Sequence, residues 1–406
     1  MHILVVTDQQ AESLGGVQVA IRLQRRFLER LGHRVTIVAP ELHRPGYATD
    51  SADREAYIDL PSRPITKDRE YGVSWPGRRT DRAIAKRLAQ LPPVDLVHIQ
   101  GDFWGALIGL RAARGLGVPV VHTMHNNVHE GTRAVTRLAP AAFAGLRAWR
   151  RLCLGAVRGA LPTTAGKPRA TGAWRYLAEL AAEAAVVAAP SAHFAATLRA
   201  QGVAEQVEVS ANGVDDEAIA ATLARQREPR SRPRLVWLGR MSQEKRILEF
   251  IEAIAESGID ADVALHGAGL LLPRVERRIA ELGLADRVSI PGPVSYEEAL
   301  FAMRNADALV QTSMGFETQG LTPFEAAALG TPTIFCDPNI ADDVAVSPEW
   351  RAADGSVSAL AAALRTAVAE LTANPGLHVA EGAAERFLQS TRVRELVALY
   401  ERALES

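Results

Sequence analysis

The strongest constraint on this chain is a repeated alternation of short, unbroken apolar runs with stretches of helical periodicity. Runs at His2–Thr7, Arg34–Ala39, Asp95–Gln100, Pro119–Met124, Ala185–Ala189 and Gln206–Ser210 do not alternate polar with apolar residues. A strand with both faces apolar must be covered on both, and a parallel sheet wrapped by helices provides that cover. After the polar stretch Arg225–Pro233 the pattern restarts at Arg234–Leu238, Asp262–His266, Arg287–Ile290, Asp307–Gln311 and Thr333–Cys336. The sequence therefore predicts an α/β chain of two doubly wound Rossmann-like parallel-sheet domains, 1–205 and 206–384. An amphipathic terminal helix, about 385–406, is free to pack back on the first domain. Ligands of open parallel sheets bind at the carboxyl ends of the strands, so two such sheets are expected to share a cleft.

Composition narrows the function class. A net charge of −1 over 406 residues argues against a general nucleic-acid binder. Cys153 and Cys336 lie far apart, with neither metal-ligand spacing nor a disulfide framework, which fits a reducing cytoplasm. The chain opens on a strand with no basic leader, and no apolar run reaches bilayer length. These features predict a cytoplasmic protein, soluble or resting on a membrane surface.

The stretch with most chemistry is Gly315–Gly330. A strand, a glycine-containing loop and a helix start place unpaired amides at an anion's disposal. Glu317 sits on that loop and Glu325 eight residues on, inside the helix that Pro323 opens. Paired carboxylates suit sugar or ribose diols beside a bound phosphate, although two solvated glutamates on a helix start read the same way.

Gly239–Lys245 follows the first strand of the second domain. Arg240 and Lys245 offer a planar fork and a point charge suited to a diphosphate, and Lys245 is one of only four lysines. An ordinary pairing of Arg240 with Glu244 is the plain alternative. Gly15 and Gly16 close the loop after the first strand, where a phosphate turn belongs, but they form no full G-x-G-x-x-G pattern. Gly267, after the second strand of domain two, and Val294, after the third, allow backbone contact with a flat base, or are packing turns. His125, at a strand's carboxyl edge, is placed to touch a substrate hydroxyl. Its spacing to His129 raises a metal reading that no carboxylate or cysteine completes. His98 and His122, inside strands, read as core histidines.

Residues 131–176 carry no Asp or Glu, yet include Arg147, Arg150, Arg151 and Arg158 interleaved with Leu146, Trp149 and Leu152. A basic amphipathic stretch with aromatic residues suits an anionic membrane face; an arginine-rich solvated helix pair is the equal alternative.

Taken together, the Gly-Gly loop, Thr123-Met124-His125, Asn212-Gly213-Val214-Asp215, Gly239-Arg240…Glu244-Lys245 and Glu317…Glu325 resemble a retaining glycosyltransferase of the GT-B fold, in glycosyltransferase family 4. The resemblance spans essentially the whole chain. It implies that domain one binds the acceptor and domain two a nucleotide-sugar donor. Arg240 and Lys245 would then hold the diphosphate and Glu317 the sugar hydroxyls. Thr318, Gln319, Gly320 and Leu321 would lend amides, and Glu325 would hold the ribose diol. Gly15 and Gly16 would approach the phosphates and His125 the sugar. The resemblance implies no metal and no further cofactor.

Many relatives carry Glu-Gly-Phe-Gly in this loop; here it reads Glu317-Thr318-Gln319-Gly320-Leu321-Thr322, similar to bacterial diacylglycerol glucosyltransferases. That variant, with the basic segment, favours a lipid acceptor at an anionic membrane, the inner face of the plasma membrane; separately, a UDP-hexose is expected as donor over a GDP-hexose. Alternatives are a soluble or polyprenyl-linked saccharide acceptor and, in another class, a non-hydrolysing UDP-sugar epimerase or a silent nucleotide-binding module.

Overall fold

The computed structural model of the chain describes residues 1–13, 15–45, 54–380 and 382–405. The chain divides into two compact units, Met1–Asn212 with Arg392–Ser406, and Gly213–Thr391.

The first unit is built on β1 (His2–Thr7), α1 (Gly16–Arg30), β2 (Arg34–Pro40) and β3 (Tyr57–Leu60). A small hairpin, β4 (Arg63–Pro64) with β5 (Gly72–Val73), leads to α2 (Arg78–Leu88), β6 (Leu96–Gln100), α3 (Trp104–Leu116) and β7 (Val120–Thr123). After α4 (Val128–Val135), α5 (Ala139–Leu154) and the hairpin β8 (Thr163–Thr164) with β9 (Lys167–Pro168) come α6 (Gly172–Ala181), β10 (Val186–Ala189), α7 (Ala192–Ala200) and β11 (Glu208–Val209). The sheet order is β3-β2-β1-β6-β7-β10-β11, all parallel. Side chains alternate across it: Leu4 and Val6 join one buried cluster, Ile3 and Val5 the other.

The second unit runs α8 (Asp216–Leu223), β12 (Arg234–Leu238), α9 (Ile247–Ser257), β13 (Asp262–His266), α10 (Leu272–Glu281), β14 (Val288–Gly292) and α11 (Tyr296–Arg304). It continues with β15 (Ala308–Gln311), α12 (Leu321–Ala328), β16 (Thr333–Phe335), α13 (Pro338–Val344), β17 (Glu349–Arg351) and α14 (Val357–Ala373). Its order, β14-β13-β12-β15-β16-β17, is again wholly parallel. In each unit the strand order reverses beside the first strand, between β1 and β6 and between β12 and β15. That reversal makes the crevice in which open α/β sheets bind ligands.

Three sequence expectations change. The polar segment before Asp81 contains β3, the hairpin and the start of α2; its part at 46–53 lies outside the described residues. The edge strand β17 is an addition. The terminal helix, expected from about Ala383, starts at Gln389 as α15 (Gln389–Glu405). Before it, Glu385–Phe387 form a 3-10 turn and Leu388 bridges in parallel to Val214, so the backbone is extended there. From Val393 onward the apolar face of α15 (Leu396, Leu399, Tyr400, Ala403) is buried against the Ile3–Val5 face of the first unit.

Candidate active site

In the second unit, β12 and β15 are neighbours, and the loops leaving them meet. Lys245 ends the 3-10 turn Gln243–Lys245 after β12. Its carbonyl accepts from Thr312 Oγ1 at 2.5 Å, and that hydroxyl accepts from Trp237 Nε1 at 2.9 Å. Lys245 is thereby pinned to the end of β15. Its ammonium donates to Glu317 Oε1, which also accepts from Ser313 Oγ at 3.0 Å. Both side chains are about a quarter exposed or less. The loop is held below by Gly315 N donating to Asp337 Oδ2 at 2.7 Å. Arg240 stays apart: it is 70% exposed, and its ion pair, at 3.8 Å, is with Glu244, the plain alternative raised from sequence.

Glu317 leads into α12, whose N-cap is Gly320 at φ 72, a left-handed conformation that favours glycine. Pro323 falls at the third helical position, where an amide has no intrahelical partner to lose. Thr318 and Leu321 are half-buried, and Gln319 is buried. One turn into α12, Glu325 is also buried, and burial pushes its carboxyl up to about 7 against the opposing hydrogen bond from Tyr296.

Gly267 marks a close backbone approach: a Cβ there would lie 1.9 Å from the Gly239 carbonyl oxygen. Gly239 N donates to His266 O at 3.1 Å and Gly267 N to Gly292 O at 3.0 Å, tying the ends of β12, β13 and β14 together. Val294 is 39% exposed beyond them. A cavity of about 460 Å³ runs along β13 from Asp262 to His266 and Val294; Lys245, Glu317 and Glu325 lie outside it.

The strand-order reversal of the first unit holds two carboxylates that the sequence reading missed. Asp8, just past β1, accepts from Asp102 N (2.7 Å), Phe103 N (3.2 Å) and Gly105 N (2.7 Å), so it caps α3 from another part of the chain. Burial, and then the neighbouring Asp102 charge, raise it to about 7. Asp102 accepts from His125 N (3.0 Å) and from Asn126 N and Nδ2 (both 2.8 Å). Burial pushes Asp102 up, but its His122 contact and the neighbouring imidazoles leave it below the usual carboxylate range. The signal available in sequence was position alone, since Asp8 is one residue and Asp102 two residues past a strand end.

His125 is buried, and its ring points to Gln100, Nε2 to Oε1 at 3.2 Å. Gln100 Nε2 donates to Gln24 Oε1 (2.6 Å), and Gln24 Nε2 to Asn212 Oδ1 (3.2 Å). Read along these amides, Gln100 presents an acceptor, which places the His125 proton on Nε2 and leaves Nδ1 with a lone pair. Burial lowers its pKa to about 4, so it is neutral at pH 7. His98, its Nδ1 at 2.8 Å from Tyr400 Oη and Nε2 at 2.8 Å from Thr123 Oγ1, is a satisfied core histidine. His129 stacks on Phe143 and Trp174. Gly15 and Gly16 open α1 and are exposed.

The basic segment requires one correction. Arg150, read as a membrane-facing cation, is buried, with Nη2 2.6 Å from Glu183 Oε1. Glu183 also pairs with Arg114, and Glu179 with Arg147 and Arg175. The missing acids are therefore supplied at the end of α6 and just beyond it, and the local charge imbalance is largely internal. Arg151 and Arg158 are exposed, as are Leu138 and Leu152. Trp149, half-buried, packs on the exposed Trp75 with ring centroids 5.4 Å apart. No helix among the described residues is long and apolar enough to cross a membrane.

Residues 14–218 match the model for Glycosyltransferase Family 4, and residues 220–373 that for Glycosyl transferases group 1. The chain is 25% identical to alpha-monoglucosyldiacylglycerol synthase of Streptococcus pneumoniae over 352 residues, 82% of this chain and 70% of that one. It is 27% identical to 2-deoxystreptamine glucosyltransferase of Streptomyces kanamyceticus, over 85% of this chain and 87% of that one. Among solved structures, Anabaena HepE with UDP and glucose superposes with a TM-score of 0.66 at 18% identity, covering 99% of both chains. Sucrose-phosphate synthase of Thermosynechococcus elongatus does so at 0.70 and 19%, covering 99% and 98%.

Two parallel Rossmann-like sheets with these neighbours define a GT-B glycosyltransferase. The chain belongs to Glycosyltransferase Family 4 and, within it, resembles the bacterial diacylglycerol glucosyltransferases.

Proposed function

We propose that this glycosyltransferase moves a hexose, glucose foremost, from a UDP-sugar to a membrane lipid such as diacylglycerol, with retention and without a metal. The observation that carries the reading is the meeting of Lys245 and Glu317 where the second sheet reverses its strand order, with the buried Glu325 one turn into the helix that follows the loop. A cation, a sugar-binding carboxylate and a diol-binding carboxylate supply the groups that the diphosphate, the hexose and the ribose of a nucleotide sugar each call for. Arg240 and Lys245 hold the diphosphate. Amides of Thr318, Gln319, Gly320 and Leu321 support phosphate and sugar, and Gly15, Gly16, Gly267, Val294 and His125 keep the roles that the family pattern implies.

In the proposed step the bond from the anomeric carbon to the diphosphate oxygen breaks. The acceptor oxygen bonds to the same face, and its proton passes to the leaving phosphate. Negative charge grows on that phosphate, so cations fixed beforehand lower the barrier.

The loop Glu317–Thr322 and the likeness to the Streptococcus pneumoniae synthase support a lipid acceptor. The internal pairing of Arg147 and Arg150 favours a second reading, a soluble saccharide or aminocyclitol acceptor, in keeping with the 2-deoxystreptamine glucosyltransferase likeness. Label transfer from UDP- and GDP-hexoses, with vesicles containing diacylglycerol and an anionic phospholipid, separates the two. Label in the organic phase with UDP-glucose supports the first reading; donor turnover with label only in water overturns the lipid acceptor.

A further inference from the structure

Asp102 lies two residues past β6, where the first sheet reverses its strand order, and is wholly buried. Its Oδ2 accepts three hydrogen bonds from two consecutive residues of the loop after β7. They come from His125 N at 3.0 Å, Asn126 N at 2.8 Å and Asn126 Nδ2 at 2.8 Å. The other oxygen, Oδ1, lies 3.3 Å from Nε2 of His122, inside β7 itself. The main chain beneath the carboxylate is fixed as well. Asp102 N donates to Asp8 Oδ2 at 2.7 Å, and Asp102 O accepts from the Tyr176 hydroxyl of α6 at 2.9 Å.

β7 ends at Thr123 and α4 starts at Val128. The amides of His125 and Asn126 therefore lie beyond the strand ladder and before the helix, and Asp102 Oδ2 is the acceptor they share. An oxygen that serves three donors is best supplied by an anion. A neutral amide in its place carries one oxygen and one NH2. Either that NH2 faces the three loop donors, or it faces His122 Nε2, which already donates to the Gly101 carbonyl at 2.9 Å. His125 is thus held twice, by Asp102 at its main chain and by Gln100 at its ring.

We propose that Asp102 is a positioning residue for the transfer step: its carboxylate fixes the His125–Asn126 turn, and with it the place of the His125 ring, without touching a substrate. This role rests on the one given to His125 above. Lys245, Glu317 and Glu325 belong to the second unit, so loss of the Asp102 charge should slow turnover and leave nucleotide affinity alone.

The test compares Asp102→Asn, Asn126→Ala, His125→Ala and Tyr176→Phe in the full chain, each matched to wild type by circular dichroism. UDP affinity, UDP release from UDP-glucose and the ring nitrogen shifts of His125 are measured. Asp102→Asn is expected to lower turnover about a hundred-fold, the effect that a displacement of about 1 Å can have, with UDP affinity within about two-fold. Its His125 signals lose the single Nε2–H signature. Asn126→Ala removes one of the three donors from an exposed residue, and so decides the matter even where Asp102→Asn fails to fold; a several-fold loss of turnover is expected. Tyr176→Phe loosens the main chain of Asp102 but keeps the carboxylate, and should keep both turnover and signature. Wild-type turnover and signature in Asp102→Asn or, should that variant not fold, in Asn126→Ala, while His125→Ala is impaired, overturn the role of Asp102 and spare that of His125. An equal loss in Tyr176→Phe overturns it too. Normal turnover in His125→Ala overturns the His125 assignment itself.

Discussion

Lys245 and Glu317, 72 residues apart, form an ion pair with each other where the second sheet reverses its strand order. Ser313 binds the same carboxylate oxygen and Thr312 the Lys245 carbonyl, so both partners are held at their bases. The pair keeps each charge compensated in the free protein. In the function proposed above, a diphosphate approaching Lys245 would share an ammonium that is already oriented, and Glu317 would be freed to take sugar hydroxyls.

Lys245→Ala and Glu317→Ala are each expected to lower transfer by orders of magnitude while the protein stays folded. Being partly exposed, the pair contributes at most about 1 kcal/mol to stability, so melting temperatures should barely move. In the double variant the activity loss is expected to fall well short of the product of the two single losses, because the residues act as a unit. Near-normal transfer in either single variant contradicts the site assignment.

Glu325→Gln should separate stability from binding. Burial raises Glu325 from 4.5 to about 7, so between those pH values the folded chain holds a proton that the unfolded chain has released. Its contribution is fully present below the unfolded value and is lost as pH rises through the folded one. The whole effect is at most about 3 kcal/mol. Glu325→Gln is therefore expected to melt higher than wild type at pH 8 and alike at pH 5, while losing donor affinity. Thermal denaturation at the two pH values checks this, and an equal shift at both contradicts it.

The amide relay from Asn212 through Gln24 and Gln100 gives His125 a fixed tautomer. Gln100→Leu leaves the His125 Nε2–H and the Gln24 amide without their partner, at a cost of about 1–3 kcal/mol. Nitrogen chemical shifts of His125 should read as the Nε2–H tautomer in wild type and as a mixture in the variant. A mixture in wild type contradicts the relay.

Arg150 and Arg151 should behave oppositely despite their adjacency. Arg150→Met leaves Glu183 in the interior with one fewer cation, which is expected to destabilise the fold by about 3–5 kcal/mol without changing vesicle binding of the folded fraction. Arg151→Glu combined with Leu152→Glu should weaken sedimentation with anionic vesicles, most at low salt. Loss of vesicle binding in Arg150→Met alone contradicts the structural role.

The strands of both sheets are legible in the sequence because buried parallel strands leave unbroken apolar runs, as at Ile3–Val6 and Leu235–Leu238. The edge strands β3 and β17 are not, since four residues such as Tyr57–Leu60 look like any loop fragment until a neighbour pairs with them. The loop glutamates and Lys245 could be singled out because the loop–helix pattern has a mechanism. Their mutual pairing could not, because it depends on which strand ends become neighbours. The same holds for Arg150, whose partner Glu183 is 33 residues on.

The central claim is that the Lys245–Glu317–Glu325 constellation binds a nucleotide sugar. Calorimetric titration of UDP-glucose into the wild type, Lys245→Ala and Glu325→Gln tests it most directly. The account predicts a single site in wild type, weakened at least ten-fold in each variant, in line with the loss of a charged hydrogen bond. Equal affinity in all three proteins would contradict it.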